Sequence, residues 1–275
     1  MRLDIVELWL QLTSPLFHGG DEKTGTEHMF RRIKYVVGDE IIHVPYVSGN
    51  EVRGKMRRLA FWDLFKRLGI DDPSTKLRHT LLSGGVLERA PSGEAIVDVE
   101  FKRKLRRVPL ISLFGCSVKN IVVEGKLQVS HCLPLCSELK EYLPAVEAEW
   151  YGRAVKRSFY DYLDWTFHTR RGEEPRGRED EQAVQMLYRF EILIPGTIMY
   201  VRFGLLDCSE LERSAFSHVL KLFVESGTLG GRSSVGYGSF KVIAQRGELP
   251  SPATYLEWLE ENSEEVLGIL HEIEE

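Results

Sequence analysis

Residues 3–12 alternate apolar and polar side chains, Leu3 and Ile5 being followed, after a one-residue slip, by Leu8, Leu10 and Leu12. A period of two predicts a strand with one buried face and a bulge within it. Ser14-Pro15 ends it, and the polar stretch 18–25 reads as a loop. Residues 33–37, a Gly38-Asp39 turn and residues 41–44 then predict a hairpin. From Ser48 or Asn50 as cap the period changes, with Val52, Met56, Leu59, Ala60 and Leu64 recurring at three- and four-residue steps until Gly69. That is the apolar stripe of a helix. Arg53 and Arg57 are four apart and predicted to share a face turned away from the stripe, with Lys55 to one side.

Residues 70–107 hold no sustained period and read as an irregular insertion. Residues 110–114 and 121–129 are apolar enough for strands, with Leu113-Phe114-Gly115 as a tight junction between them. The stretch 168–182 holds four arginines and five acidic residues and nothing large and apolar to bury, so it predicts a protruding tip. An apolar run at 186–194 follows, which makes the tip the crown of an extended hairpin over about 155–194. Residues 211–224 are helical by spacing, ending at Ser226-Gly227. A strand at 240–244 and an acidic helix over about 254–275, with Glu257 in capping-box position, complete the chain. Strand, long connection, strands and helix, then the same again, predict an α+β fold of two related halves.

With 275 residues, 43% hydrophobic and 28% charged, the chain has an ordinary globular composition, suited to one domain with insertions or two small ones. Charges come too early for a signal peptide and no stretch is long enough for an uncharged membrane span. Four cysteines without a paired framework fit a reducing compartment, so the expected location is cytoplasmic. His131, Cys132 and Cys136 read either as metal ligands or as incidental and buried residues.

The net charge of −5 conceals an uneven distribution. Residues 257–275 hold eight glutamates and no lysine or arginine, so the net charge of the other 256 residues is +3. Positive charge is clumped at Arg31, Arg32 and Lys34, at Arg53, Lys55, Arg57 and Arg58, and at Lys102, Arg103, Lys104, Arg106 and Arg107. Each clump is either a solvated face or a set of phosphate anchors. The glycine-rich stretch at 229–240 has the same two readings, a turn or a bare backbone able to lie along a phosphodiester chain. It lacks the Gly-Lys-Ser/Thr ending of a P-loop and precedes a strand, which argues against a nucleotide-phosphate enzyme.

Four motifs occur in order: Ser-Pro-Leu-Phe-His-Gly-Gly at 14–20, Val-Pro-Tyr-Val-Ser-Gly-Asn-Glu-Val-Arg-Gly-Lys-Met-Arg at 44–57, Leu-Phe-Gly at 113–115, and Gly-Gly-Arg-Ser-Ser-Val-Gly-Tyr-Gly at 230–238. Together they resemble the RAMP superfamily, and within it the repeating backbone subunit of class 1 CRISPR effector complexes of the type III and type IV branches. The resemblance runs from residue 1 to about 244, apart from 70–107. It implies a modified RRM or ferredoxin-like palm with a thumb β-hairpin and inserted loops, all in one domain. It also implies a subunit that binds crRNA, repeats along it as a helical filament beside other effector subunits, and meets target RNA or DNA through guide pairing, with no membrane partner and no cofactor. By position, the RNA-binding residues would be His18, Gly19, Gly20, Ser48, Asn50, Arg53, Lys55, Arg57, Gly230, Gly231, Arg232, Ser233 and Ser234. Behind the thumb tip, Met186 is either a wedge between bases or core packing at the hairpin base.

In the type III branch an aspartate in the loop after the first strand cuts the paired target RNA with a divalent metal. Alignment on Gly25 puts His28 at that place, with Glu27 beside it and Asp21 and Glu22 upstream. This departure fits the type IV branch better and implies a non-catalytic subunit. The alternative is a Mg2+-dependent endoribonuclease using Asp21, Glu27 and His28. A guide-processing ribonuclease working through His18 or His28 is a third reading.

Overall fold

The computed structural model describes residues 2–24, 27–85, 98–170 and 186–275. β1 (Leu3–Leu12) buries Val6, Leu8, Leu10 and Leu12 and leaves Leu3 and Ile5 exposed, and its register slips between Trp9 and Leu10, later than the slip expected between Ile5 and Leu8. The expected loop at 18–25 is extended instead: β2 (Gly19–Thr24) pairs with β3 (Glu27–Phe30). A polar ribbon needs backbone partners more than apolar side chains, and this one finds its second partner far along the chain. β4 (Arg32–Val37) and β5 (Glu40–Pro45) form the predicted hairpin. α1 (Gly49–Arg67) starts at Ser48, whose Oγ accepts the Glu51 amide at 3.2 Å.

The insertion at 70–107 is more ordered than its sequence suggests. α2 (Thr75–Leu82) and α3 (Val99–Arg107) send Leu77, Leu81, Phe101 and Leu105 into the main core; residues 86–97 lie outside the described residues. Two such short helices give too few turns for a period to stand out. The strand expected at 110–114 is a helix, α4 (Pro109–Phe114), opened by Pro109 and buried at every residue. A short apolar run does not distinguish the two by pattern alone. The strand expected at 121–129 is divided at Glu124-Gly125: β6 (Cys116–Val118) and β7 (Ile121–Val123) make a small hairpin, while β8 (Leu127–Val129) joins the main sheet.

β9 (Leu133–Pro134) and α5 (Glu149–Ala154) lead into the long hairpin of β10 (Leu163–Arg170) and β11 (Met186–Leu193). Of the tip expected at 168–182, residues 168–170 continue β10 instead and the rest lies outside the described residues, as does the side chain of Met186. β12 (Ile198–Leu206) is followed by α6 (Glu210–Ser226), capped reciprocally by Ser209 and Glu212 and closed by left-handed Gly227. After β13 (Phe240–Arg246) the acidic segment forms two helices, α7 (Ala253–Glu261) and α8 (Ser263–Glu274), broken at Asn262. Pro252 stands at the N-cap of α7, with its ring fixing φ, so the expected box with Glu257 does not form, and the amides of Ala253 and Tyr255 are taken instead by Ser251 and Ser214 Oγ at 3.2 and 2.9 Å.

The main sheet is antiparallel in the order β13-β1-β12-β8, with β9 also on β12. Read as β1-α1-β8 and β12-α6-β13, it is the split βαβ arrangement of a ferredoxin-like palm, built from two related halves with the strands of each half interleaved. A second sheet, β10-β11-β3-β2, carries the thumb, and β11 lies parallel to β3 with Arg189 opposite Glu27 and Phe190 opposite His28.

Four of the five basic residues at 102–107 are matched by acids. Arg107 and Lys104 pair with Glu265 and Glu272 of α8 at 2.9 and 2.8 Å, and Glu124 takes Lys102 and Arg106 at 3.3 and 3.0 Å. The acidic C-terminal segment therefore neutralises part of this cluster and sends Val266, Ile269, Leu270 and Ile273 into the core. Among the described residues no helix is long and apolar enough to cross a membrane.

Candidate nucleic-acid interface

The glycine-rich segment is zipped at its stem and open at its tip. Leu229 donates its amide to Gly238 O at 2.8 Å, Gly238 N reaches Pro15 O at 2.7 Å, and Gly231 N reaches Phe17 O at 2.8 Å. The stem has no room for side chains. A Cβ at 238 would stand 1.8 Å from Leu229 O, and one at 230 would stand 2.5 Å from Phe17 O, both residues having positive φ. The tip, residues 231–236, is exposed, and Ser233–Val235 make a single 3-10 turn. Arg232 opens that turn in the left-handed conformation, φ 62°. Its guanidinium lies 3.6 Å from the centroid of the Phe190 ring, a stacked cation with its N–H edges free to meet phosphate or base.

Phe190 is the centre of a cluster drawn from four distant segments. His28 stacks on it at 4.9 Å with the rings 7° apart, Phe17 meets it edge-on at 5.2 Å, and His168 does so at 5.3 Å. Tyr188 stacks on His28 at 6.2 Å. His168 Nε2 lies 2.6 Å from the Tyr237 hydroxyl, which donates to Thr166 Oγ1 at 3.3 Å. The first loop, the glycine loop and the thumb base thus meet on one aromatic platform. Sequence reasoning missed Phe17, His168, Tyr188, Phe190 and Tyr237. Phe17 and Tyr237 stand inside the quoted motifs, where only their glycine and basic neighbours drew attention.

The start of α1 reaches the same place. Ser48 donates its amide to His18 Nε2 at 3.3 Å, and Gly49 donates to His131 Nδ1 at 3.1 Å; Asn50 is exposed. Lys55 Nζ donates to Thr228 Oγ1, and the Gly230 amide faces the Glu51 carboxylate. Burial pushes Glu51 above the usual carboxylate range, although Lys55, Arg58 and the Gly230 amide pull the other way. Burial likewise holds Lys55 below the ordinary lysine value. These two side chains moor the glycine loop to the helix. His18, Gly19, Gly20, Ser48, Gly230, Gly231, Arg232, Ser233 and Ser234 therefore share one region.

Arg53 and Arg57 do not join it, and the expectation that they stand clear of the core is not met. Both donate to Phe114 O, Arg53 at 2.7 Å, and both lie over the Phe114 ring. Arg57 is 6% exposed, and burial with Arg53 beside it pulls its guanidinium down to about 10. The pair secures the C-terminus of α4, whose carbonyls have no partner within the helix. Arg32 is engaged too, on the buried Glu191.

The nuclease candidates are tied into the platform. Glu27 pairs with Arg189 at 3.2 Å, and Arg189 in turn lies 4.2 Å from the Trp165 ring centroid. His28 lies flat on Phe190; the Asp21 and Glu22 side chains lie outside the described residues. A divalent ion needs several oxygen ligands, and among the described residues no group of three His, Cys, Asp or Glu stands close enough to hold a metal. Cys132 and Cys136 are fully buried, with burial pushing Cys136 to about 12, and His131 Nδ1 accepts the Gly49 amide at the start of α1.

No curated protein sequence matches the chain. A chain of a solved "Type IV-B CRISPR Complex" shares the fold, with a TM-score of 0.64 at 22% identity over 93% of this chain and 98% of the other. The RAMP superfamily profile matches residues 9–241, from within the first strand of the palm to the start of its last. The chain belongs to the RAMP superfamily.

Proposed function

We propose that this protein is a guide-RNA-binding backbone subunit of a class 1 CRISPR effector complex, repeated along crRNA beside other effector subunits and not itself catalytic. The observation that carries this reading is the convergence of bare glycine backbone, exposed Ser233 and Ser234, stacked Arg232 and the start of α1 on one thumb base. Those are the groups needed to hold a sugar–phosphate chain without reading its sequence. Target choice, RNA or DNA, then rests with the guide.

Nucleic-acid-free protein is expected to bind RNA of unrelated sequences with similar affinity, falling steeply with salt. Arg232→Ala is expected to weaken binding about tenfold and lower the salt slope by about one. Fluorescence anisotropy over a salt series reads both, and an unchanged affinity and slope would remove the loop from the interface. Arg53→Ala is expected to lower stability more than affinity, because its guanidinium serves Phe114.

The non-catalytic half of the proposal is supported by the engagement of Glu27 with Arg189 and of His28 with Phe190. Assembled complex incubated with complementary RNA and Mg2+ is expected to leave that RNA intact. Regularly spaced cuts, lost in Asp21→Ala, would reverse it.

A further inference from the structure

Among the exposed apolar surfaces of the described residues outside this interface, two are opposite in shape and charge. The first is the end of the β4–β5 hairpin, which belongs to neither large sheet. Val36 and Ile41 face each other across it at 59% and 66% exposure. Beside them the turn carries Asp39 and Glu40, which make no ion pair among the described residues. The other face of the ribbon packs Ile33, Tyr35, Ile42 and Val44 on the core, and Tyr142 donates to Val36 O, which leaves the Val36–Ile41 pair as the exposed apolar part of its end.

The second is a hollow on the palm face opposite α1 and α6, lined by Leu3, Ile5, Gln128, Val129, Arg202 and Gly204. It exists because residue 204 has no side chain: a Cβ there would come 3.1 Å from Leu3 Cδ1 and 3.3 Å from Gln128 Oε1. Leu3 and Ile5 are more than 40% exposed. Arg202 is exposed at the rim and makes no ion pair among the described residues, since nearby Glu7 is held by Arg246 and Tyr200.

We propose that the hairpin end of one copy of this chain docks in the palm hollow of the next, Val36 and Ile41 against Leu3 and Ile5, with Asp39 and Glu40 facing Arg202. A knob with carboxylates and a hollow with a guanidinium complement each other and not themselves. Repeated head to tail along one RNA, the contact is heterologous and leaves an unused knob at one end and an unused hollow at the other, the geometry of an open array. This deepens the proposed function, since it names the surfaces that join repeated subunits, yet it can fail separately. A contact this small is weak alone and gains from copies held close on one RNA.

Site-directed cross-linking of full-length, RNA-free protein tests it. Ile41→Cys and Ile5→Cys proteins, mixed and treated with a short bis-maleimide, are expected to give heterodimer about tenfold over either homodimer, and the double variant a ladder of multimers. Cys116, Cys132 and Cys136 are buried, and the half-buried Cys208 is replaced in both proteins by Cys208→Ser to keep the background low. Arg202→Glu is expected to cut the heterodimer about tenfold, and Glu40→Lys on the opposing copy to restore it. Homodimers equal to heterodimer, or indifference to the charge reversal, would overturn the proposal. So would loss of short-RNA binding in Arg202→Glu with cross-linking unchanged, which would assign the hollow to RNA. A ladder from protein that binds no RNA would instead sink the proposed function and spare this contact.

Discussion

Gly238→Ala is expected to destabilise the protein by about 3 kcal/mol and to abolish most RNA affinity. The new methyl would lie 1.8 Å from Leu229 O at φ +79°, so the stem of the glycine loop must open. Its opening releases Leu229 from the core and withdraws Arg232 from Phe190. Gly236→Ala separates this from ordinary backbone strain: Gly236 also has positive φ, 88°, but nothing lies within 4 Å of its would-be Cβ. That substitution is expected to cost only about 1 kcal/mol. Denaturant unfolding and anisotropy on both variants decide the matter. Equal costs would mean that close packing of the stem is not what glycine serves at 238.

Glu212→Ala is expected to cost about 3–5 kcal/mol, the largest loss among the charged residues. Its carboxylate, 6% exposed, accepts from Lys126 Nζ at 2.7 Å, from Ser112 Oγ, and from the Ser209 amide at 2.7 Å. One side chain thus caps α6 and ties it to α4. Burial raises this carboxyl, but the bonds from Lys126, Ser112 and Ser209 outweigh it and hold it below the ordinary glutamate value of 4.5. Because the folded value is the lower one, the stabilisation is fully present above pH 4.5 and is lost as pH falls through the folded value. Unfolding free energy in Glu212→Ala should fall less steeply below that pH than in the parent protein. Adding Lys126→Met is expected to recover part of the loss, since it removes the orphaned ammonium.

The palm was readable because its signals are local. Ser48, the stripe from Val52 to Leu64 and the Gly227 stop each lie within one element, and chain order then dictates the sheet. α4 was not readable, since six residues, five of them apolar, satisfy either a helix or a strand and only the surrounding core decides. Arg53 and Arg57 show a different limit. Spacing told which face of α1 they share, and one stripe showed where the palm core lies, but nothing local revealed that the end of α4 covers that face as well. The aromatic platform needed Phe17, His28, His168, Phe190 and Tyr237, five positions spread over more than two hundred residues. Only the parallel pairing of β11 with β3 brings His28 to Phe190.

That pairing also couples the thumb mechanically to the first ribbon. Movement of β11 strains the hydrogen bonds it shares with β3 at Glu27 and His28 and shears Phe190 beneath Arg232. A strand so attached cannot swing as a free lever; it carries the glycine loop with it or detaches from β3 first. Deuterium uptake at the amides of 27–30 is therefore a gauge of thumb displacement, readable without a label on the thumb itself.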